Sequence, residues 1–584
     1  MYKRNEIQAD AIDSIIKNKA LFAGVGAAHL PGDRGVIELL RKKGYQLRAV
    51  KMTDRDGEQK DAINKLKVPV SFTTQQSGDQ FYTVDVPGPL YALKNSYQEL
   101  DRTQYADMSN GAYYMVTRFK TYASFIPQLA AVNKKVDSVL YEYIPGTILS
   151  KKIISNNGYP GYDISNRTRR GDLQRYHIYI TPFEVIIFKM SGKGEYVNGE
   201  EANRFFGSIQ LKGNVLSPAP FTPAQGGFTV RLPHEPHSYF NEGNDGRWEY
   251  EALDKTTGEA YLLFKKSVYN YNFLEADSFD LALIETSFRS SEYFEKQLSR
   301  KYTTINGYPA LLVKEKLKDG NFVHAAYIIQ GPHYYVIAQR NKNVSDKSFN
   351  FYKSFQLRPY VYSTSKQYND SFLLVNTITP VQPEIDNSIR NIIEKTAEDA
   401  ANGMNASGYI TYWKKIKNGL FVSKATGEMV SVQMQEYPKY FYIRDSAKFW
   451  KDEMEDYLNK KDMELYQKQW FAHTDGSVGY HFQVRDTGSS RMITRVIMLK
   501  GRYMYTLSTI TDTLNKNCSY LTDVFSNFKP HENVQSQNLY ENKLSLFFTD
   551  LFSIDSALHK RAQQAIANLY FGSKGADILY DAIN

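Results

Sequence analysis

The chain has 584 residues, 42% of them hydrophobic and 23% charged, a composition of folded modules that excludes a disordered polymer and a membrane-embedded bundle. The formal charge of +9 is spread out, its longest basic knots being Arg41-Lys42-Lys43, Lys134-Lys135 and Arg167 to Arg170. That is no concentrated stripe, so no nucleic-acid partner is expected, and the single Cys518 excludes both an internal disulfide and a cysteine-rich zinc site.

At the N-terminus polar residues interrupt Met1 to Lys19 where a secretory leader would be apolar, and no apolar run reaches membrane-spanning length. The compartment therefore stays open. Arg4-Asn5 opens a helix running to about Lys17. The short apolar run Ala20 to Ala28 reads as a buried strand. Gly32 to Lys43 sets Val36, Ile37, Leu39 and Leu40 on one helical face, Gly44 stops that helix, and Tyr45 to Val50 reads as a second strand. His29 falls in the loop at the carboxyl end of the first strand, where α/β proteins collect ligands. Gly24 and Gly26 leave room there for close backbone approach, and Asp33 is placed to cap the next helix. The imidazole could bind a metal, move a proton or hold the turn, because no second ligand stands at metal spacing.

With Arg4-Asn5, LFAGVGAAHLPGDRGVIELLRKKGY from Leu21 to Tyr45 and the strand ending at Val50, residues 1–52 resemble the C-terminal part of a TraB/GumN family domain, a family that includes the Tiki-like proteases. The resemblance implies a metal-dependent hydrolytic site made by two Gly-x-x-His motifs and a glutamate. Gly26 and His29 fall on the second motif, and the first motif and the glutamate have no counterpart here. His29 is thus expected to be one metal ligand whose fellow ligands lie outside this chain. A divalent metal would enter only if the site were completed, and the intact parent is expected to be bacterial and exported or periplasmic.

Residues 53–77 read as a linker. Beyond it one pattern recurs: Asn157-Gly158-Tyr159-Pro160-Gly161 returns as Asn306-Gly307-Tyr308-Pro309-Ala310 and, more weakly, as Gly476-Ser477-Val478-Gly479-Tyr480. Each is followed by a strand, a turn, a long strand, a turn, an aromatic strand and a short helix with an aromatic pair, which points to duplication of one fold. The expected layout is module 1 at 78–213, a Pro-rich linker at 214–227, module 2 at 228–360, a connecting segment at 361–418 with a polar strand and a helix around Ile385 to Ala401, and module 3 at 419–530. Further helices are expected at Thr121 to Ile144, Phe279 to Ser299 and Asp445 to Lys461. A helical segment at 531–584, broken at Ser553 and Gly572, reads as the opening of helical repeats. Apolar neighbours in EVIIF and RVIML require helices over the sheet. The fold class is α/β for the N-terminal remnant and α+β for the modules.

Pro87-Gly88 at an opening strand and Arg204-Phe205-Phe206-Gly207-Ser208-Ile209-Gln210-Leu211 at the close, with Phe351 to Leu357 in the second copy, resemble the PsbP/Mog1-like α/β/α sandwich of bacterial multidomain proteins. The resemblance names a scaffold without an activity. His177, His324 and His481 read as sheet histidines. The triplet His234-Glu235-Pro236-His237 lacks the spacing that sets two imidazoles on one helix face, and no nucleophile elbow or phosphate loop is present. The expectation is a non-catalytic, multi-module interaction or scaffold segment of a larger TraB/GumN-like protein, its partner a protein or peptide or its own missing N-terminal region. The alternative is part of a metal-dependent peptide hydrolase using His29.

Overall fold

Strand pairing organises most of this chain. The computed structural model describes residues 2–49, 70–93, 101–107, 111–125, 146–192, 194–213, 220–241, 246–291, 293–344, 351–381, 415–458, 463–514, 519–532, 534, 537–566, 569–572 and 575–583. The chain divides into two units, Met1–Ser71 and Phe72–Asn584.

In the first unit α1 (Tyr2–Ile16) packs on α2 (Val36–Lys42) through buried Ala9, Val36 and Leu40, with Ile12, Val25 and Leu39 alongside. His29 ends the short 3-10 turn Ala27–His29. The stretches 20–26 and 45–49, read as strands, carry no ladder among the described residues. A strand exists through its partner's hydrogen bonds, and apolar patterning alone supplies none.

The second unit repeats one topology. Module 1 contains β1 (Thr73–Gln76), β2 (Tyr82–Val86), β3 (Tyr91–Ala92), β4 (Asp101–Ala106), β5 (Tyr113–Lys120), β6 (Thr147–Asn156), β7 (Tyr159–Arg167), β8 (Leu173–Ile180), β9 (Glu184–Gly192), α3 (Glu200–Gly207) and β10 (Gln210–Leu211). Module 2 contains β11 (Gly226–Thr229), β12 (His237–Asn241), β13 (Arg247–Leu253), β14 (Ala260–Ser267), α4 (Asp277–Arg289), β15 (Phe294–Ile305), β16 (Tyr308–Leu317), β17 (Phe322–Gln330), β18 (His333–Asn341) and β19 (Gln356–Tyr360). Module 3 contains β20 (Lys366–Asp370), β21 (Val375–Thr379), β22 (Lys415–Val422), β23 (Met429–Glu436), α5 (Ser446–Leu458), β24 (Met463–Ala472), β25 (Val478–Asp486), β26 (Arg491–Lys500), β27 (Tyr503–Asp512), α6 (Ser519–Asn527) and β28 (Lys529–Pro530).

Sheet orders are β3-β4-β5-β9-β8-β7-β6, β12-β13-β14-β18-β17-β16-β15 and β22-β23-β27-β26-β25-β24, all antiparallel. In each, a four-strand meander docks its last strand on an opening meander, and a small second sheet joins opening to closing strands: β1-β2-β10, β11-β19 and β20-β21-β28. The third small sheet draws β20 and β21 from the segment 361–418.

The consecutive apolar residues of the central strands sort onto two covered faces. On β17, Val323, Ala325, Tyr327 and Ile329 face the core that includes Leu281 of α4, while Ala326 and Ile328 face the core containing Phe228 and Phe355. Asn157 and Gly158 (φ 47° and 80°), like Asn306 and Gly307 (φ 54° and 85°), make the left-handed pair of a tight hairpin. Asn306 Nδ2 also donates to Phe355 O at 3.0 Å, tying the hairpin to the closing strand.

Two expectations change. The helix read over Phe279–Ser299 stops at Arg289, and Phe294–Ile305 is instead the edge strand β15, because pairing with β16 overrides its helix-compatible composition. Of the helix read over Thr121–Ile144, residues 121–125 form a turn and 126–144 lie outside the described residues, as does Ile385–Ala401. The C-terminal helices α7 (Leu544–Leu551), α8 (Ser556–Ala565) and α9 (Ala576–Ile583) break at the two expected places, with Asp555 capping α8 through Ala557 N and Leu558 N. No helix among the described residues is long and apolar enough to cross a membrane.

Candidate metal centre

Residues Arg118, Lys120 and Tyr122, spaced by two along and just past β5, reach toward β12 and β13 of the second module. The Arg118 guanidinium donates through Nε to Glu184 Oε2 (2.8 Å), through Nη1 to Asp79 Oδ1 (3.0 Å), and through Nη2 to Asp79 Oδ2 and Glu184 Oε1 (2.6 Å each). Lys120 Nζ pairs with Glu251, whose other oxygen accepts from Ser124 Oγ at 2.7 Å. Tyr122, held at φ 52°, donates to Glu249 Oε2 at 2.8 Å, and Arg247 Nη2 reaches Glu249 Oε1 at 2.6 Å.

At one end of this ladder His237, the first residue of β12, sets its Nε2 2.5 Å from Glu184 Oε1. Asp79 sits in the hairpin between β1 and β2, Glu184 heads β9, and their ligand atoms with His237 lie within 4.8 Å of one another. The imidazole is pinned between Phe183, stacked at 5.1 Å, and Phe81, edge-on at 4.6 Å. Its Nδ1 is buried without a hydrogen-bond partner among the described residues.

Burial pushes the Glu184 carboxyl up, but the Arg118 charge and His237 outweigh it and hold the group well below the carboxylate range. Asp79 is likewise pushed up by burial and lowered overall by Arg118. For Arg118 burial works downward, and the two carboxylates raise it well above its ordinary value. Burial, then Glu249, raises Tyr122. Four carboxylates, Asp79, Glu184, Glu249 and Glu251, thus face three fixed cations, Arg118, Lys120 and Arg247.

One imidazole and two carboxylates are a donor set for zinc, manganese or iron, whose ligand atoms stand about 3–3.5 Å apart around a cation at ~2.0–2.2 Å. Convergence to that geometry requires Arg118 to release the two acids. Asp79 lies on a turn, and its side chain, like that of Glu184, is buried.

This cluster overturns the expectation of chemically bare modules. A buried set of side chains that could hold a metal ion lies wholly within the chain, which argues against a purely non-catalytic scaffold and against the His29 alternative's claim that the remaining ligands lie outside the chain. His29 is not part of the cluster; its Nδ1 bonds Asn5 Oδ1 at 2.7 Å. A Cβ on Gly26 would meet His29 Cδ2 at an ordinary 3.6 Å. His234 holds its turn through Glu235 O (2.8 Å) and Leu253 O (2.9 Å). His177, on β8, lies 3.5 Å from Asp163, and His481, on β25, is lowered by burial. The sequence did carry one signal of the true cluster: Glu184 opens the otherwise apolar run EVIIF, and an acid buried there demands a partner.

Residues 1–49 match the model of the TraB/PrgY/gumN family. A search of curated proteins returns no match to the chain. Among solved structures, the apo immunity protein TplEi of T6SS from Pseudomonas aeruginosa aligns at 12% identity over 50% of this chain and 98% of its own, with a TM-score of 0.16. The same protein with "L" peptide aligns at 13% over 49% and 98%, also with a TM-score of 0.16. At such scores the likeness carries no argument. What the comparisons establish is confined to the N-terminus: there the chain matches the TraB/PrgY/gumN family.

Proposed function

We propose that this chain is a divalent-cation-dependent protein of the metal-assisted hydrolase class, with the cation held by Asp79, Glu184 and His237 where the first module meets the second. The observation that supports it is the buried convergence of two carboxylates and an imidazole, their ligand atoms within 4.8 Å of one another, with His237 Nδ1 lacking a partner among the described residues. A cation bound there would polarise a carbonyl or acidify water, the chemistry of amide hydrolysis. The protein's own part is to hold Glu184 at the head of its strand and His237 between Phe81 and Phe183, with Asp79 on the facing turn. A division into three modules near 73–213, 226–360 and 366–530, wider than the expected 78–213, 228–360 and 419–530, and a PsbP/Mog1-like identity for them belong to the same reading.

The test is metal content and zinc and manganese titration of the chain, with casein hydrolysis followed in parallel, for the parent and for Glu184→Gln, His237→Ala and His29→Ala. One cation per chain, lost in the first two variants and kept in the third, supports the reading. Loss only in His29→Ala returns the ligand to the N-terminal unit, and no cation in any protein defeats both. Binding without hydrolysis leaves the centre and removes the hydrolase class.

A further inference from the structure

The turn that joins β22 to β23 in the third module, residues 423–428, seats in a socket of the second. Trp248 Nε1 donates to Lys424 O at 3.1 Å, Lys265 Nζ donates to Thr426 O, and Met429 N donates to the Tyr269 hydroxyl at 2.8 Å. Gly427, at φ 75°, lies so close to Ser267 that a Cβ there would overlap the serine hydroxyl. Ser423, Thr426 and Glu428 of the turn are buried, as are Lys265 and His333 of the socket.

His333, the first residue of β18, stands opposite Ser267 in the ladder, with its Nδ1 2.8 Å from Ser267 Oγ. The same nitrogen would lie 3.9 Å from a Cβ on Gly427, so the imidazole rests against the turn itself. The ionisable groups around it are Lys265 on β14, Tyr269 just past β14, Tyr335 on β18, Tyr360 on β19 with its ring 5.2 Å away, and Glu428, which accepts from Tyr362. Asp512, beside Gly331, accepts from Tyr308. Among the described residues the one side-chain hydrogen bond of His333 is to Ser267, so no carboxylate holds the ring. Burial, and then Lys265, keeps its pKa well below the usual value. A second proton would turn Nδ1 into a donor and set a buried charge beside Lys265.

We propose that His333 is a proton-triggered release for this turn: its protonation undocks residues 423–428 from the second module while both modules keep their folds. The docked state excludes the proton and the undocked state takes it up, so undocking gains as pH falls below about 6.5, by up to about tenfold per pH unit. Lys265 acts over a different range. With a docked value of about 7 against about 10.4 in water, its pull toward undocking grows from about pH 10 down to about pH 7 and is constant below that. The two residues are therefore separable by pH.

Hydrogen exchange read by mass spectrometry on the full chain, between pH 8 and pH 5, decides it, with protection factors taken for residues 423–434 and, as references, for β17 and β26. The expected result is a fall of about tenfold in the protection of 423–434 between about pH 6.5 and 5.0, with β17 and β26 unchanged. The fall should disappear in His333→Gln, which keeps an acceptor for Ser267 without a titrating ring, and persist in Lys265→Met. Constant protection of the turn in the parent, an equal fall in β17 or β26, a fall that survives in His333→Gln, or one that vanishes in Lys265→Met would each overturn the proposal. Should His333→Gln not fold, the contrast between the turn and the two reference strands, in the parent and in Lys265→Met, still decides it.

Discussion

Replacing Arg118 by methionine tests the charge ladder and the cation reading together. The guanidinium makes four charge-assisted hydrogen bonds to Asp79 and Glu184, and its side chain is only 6% exposed. Methionine fills much of the same volume and leaves two buried carboxylates without their cation, a loss of about 3–5 kcal/mol. In a module of this size that corresponds to a fall of roughly 10 °C in the first thermal transition. The pH dependence has a definite sign. In the parent both carboxyl groups are held below their unfolded values, so their contribution is present above about pH 4 and is lost as pH falls through the lower folded values. In the variant desolvation acts unopposed by Arg118, so the deficit is largest near neutrality and shrinks as protonation relieves it toward about pH 4–5. With the competing guanidinium gone, Asp79, Glu184 and His237 are also a better cation site. Zinc at a hundred times its dissociation constant should restore about 2.7 kcal/mol to the variant, and less to the parent, where Arg118 must first be displaced. Thermal unfolding followed by circular dichroism, in EDTA and in zinc, reads both effects. An unchanged transition in EDTA would show that the acids do not depend on Arg118, and a variant indifferent to zinc would show that the three ligand atoms cannot converge.

Other outcomes follow from other parts of the large unit. Lys265 is buried with Nζ 4.5 Å over Tyr360, and burial drives its pKa down to about 7 against a weaker upward pull from Glu428. A base whose folded value lies below its unfolded one costs stability, and the cost falls as pH rises from about 7 toward about 10. Lys265→Met should therefore raise the melting temperature at pH 7 and raise it less at pH 9.5. A Cβ at Gly161 or Gly479 would collide with the carbonyl oxygen of Ile178 or Ile497, whereas the second copy has Ala310 after its own Asn-Gly-Tyr-Pro turn. Each Gly→Ala change should cost about 2 kcal/mol or more in urea unfolding, and Ala310→Gly only about 0.5–1. Asn306→Ala gives up both the tolerance for φ 54° and the hydrogen bond to Phe355 O, a loss of about 1–2 kcal/mol by the same measurement.

The sequence and the structure agree where information is local. The Asn-Gly turns, the strands around them and the aromatic closing helix α3 were legible because tight turns and alternation are written in neighbouring residues. The stretch Phe279–Ser299 was half legible: α4 forms, but what makes Phe294–Ile305 a strand is the partner β16, which no local pattern displays. Of the cluster of Asp79, Glu184 and His237 only the buried acid Glu184 left a local trace, for the same reason. Its members are far apart in the chain, the triplet around His237 lacks metal spacing, and a side-chain contact between two modules, His237 to Glu184, brings them together. His29 shows the reverse, since a familiar motif drew attention to it and its observed partner within the first unit is Asn5.

The ladder along β5 also bears on what duplication has made of these modules. The acids Glu249 and Glu251 belong to the second copy, yet Lys120, Tyr122 and Ser124, which answer them, belong to the first. Each copy has surrendered part of its electrical neutrality to its neighbour. The second copy made alone would expose an acidic edge with only Arg247 to balance it. The first two repeats are thus halves of one joint, and their order along the chain sets which charges meet there.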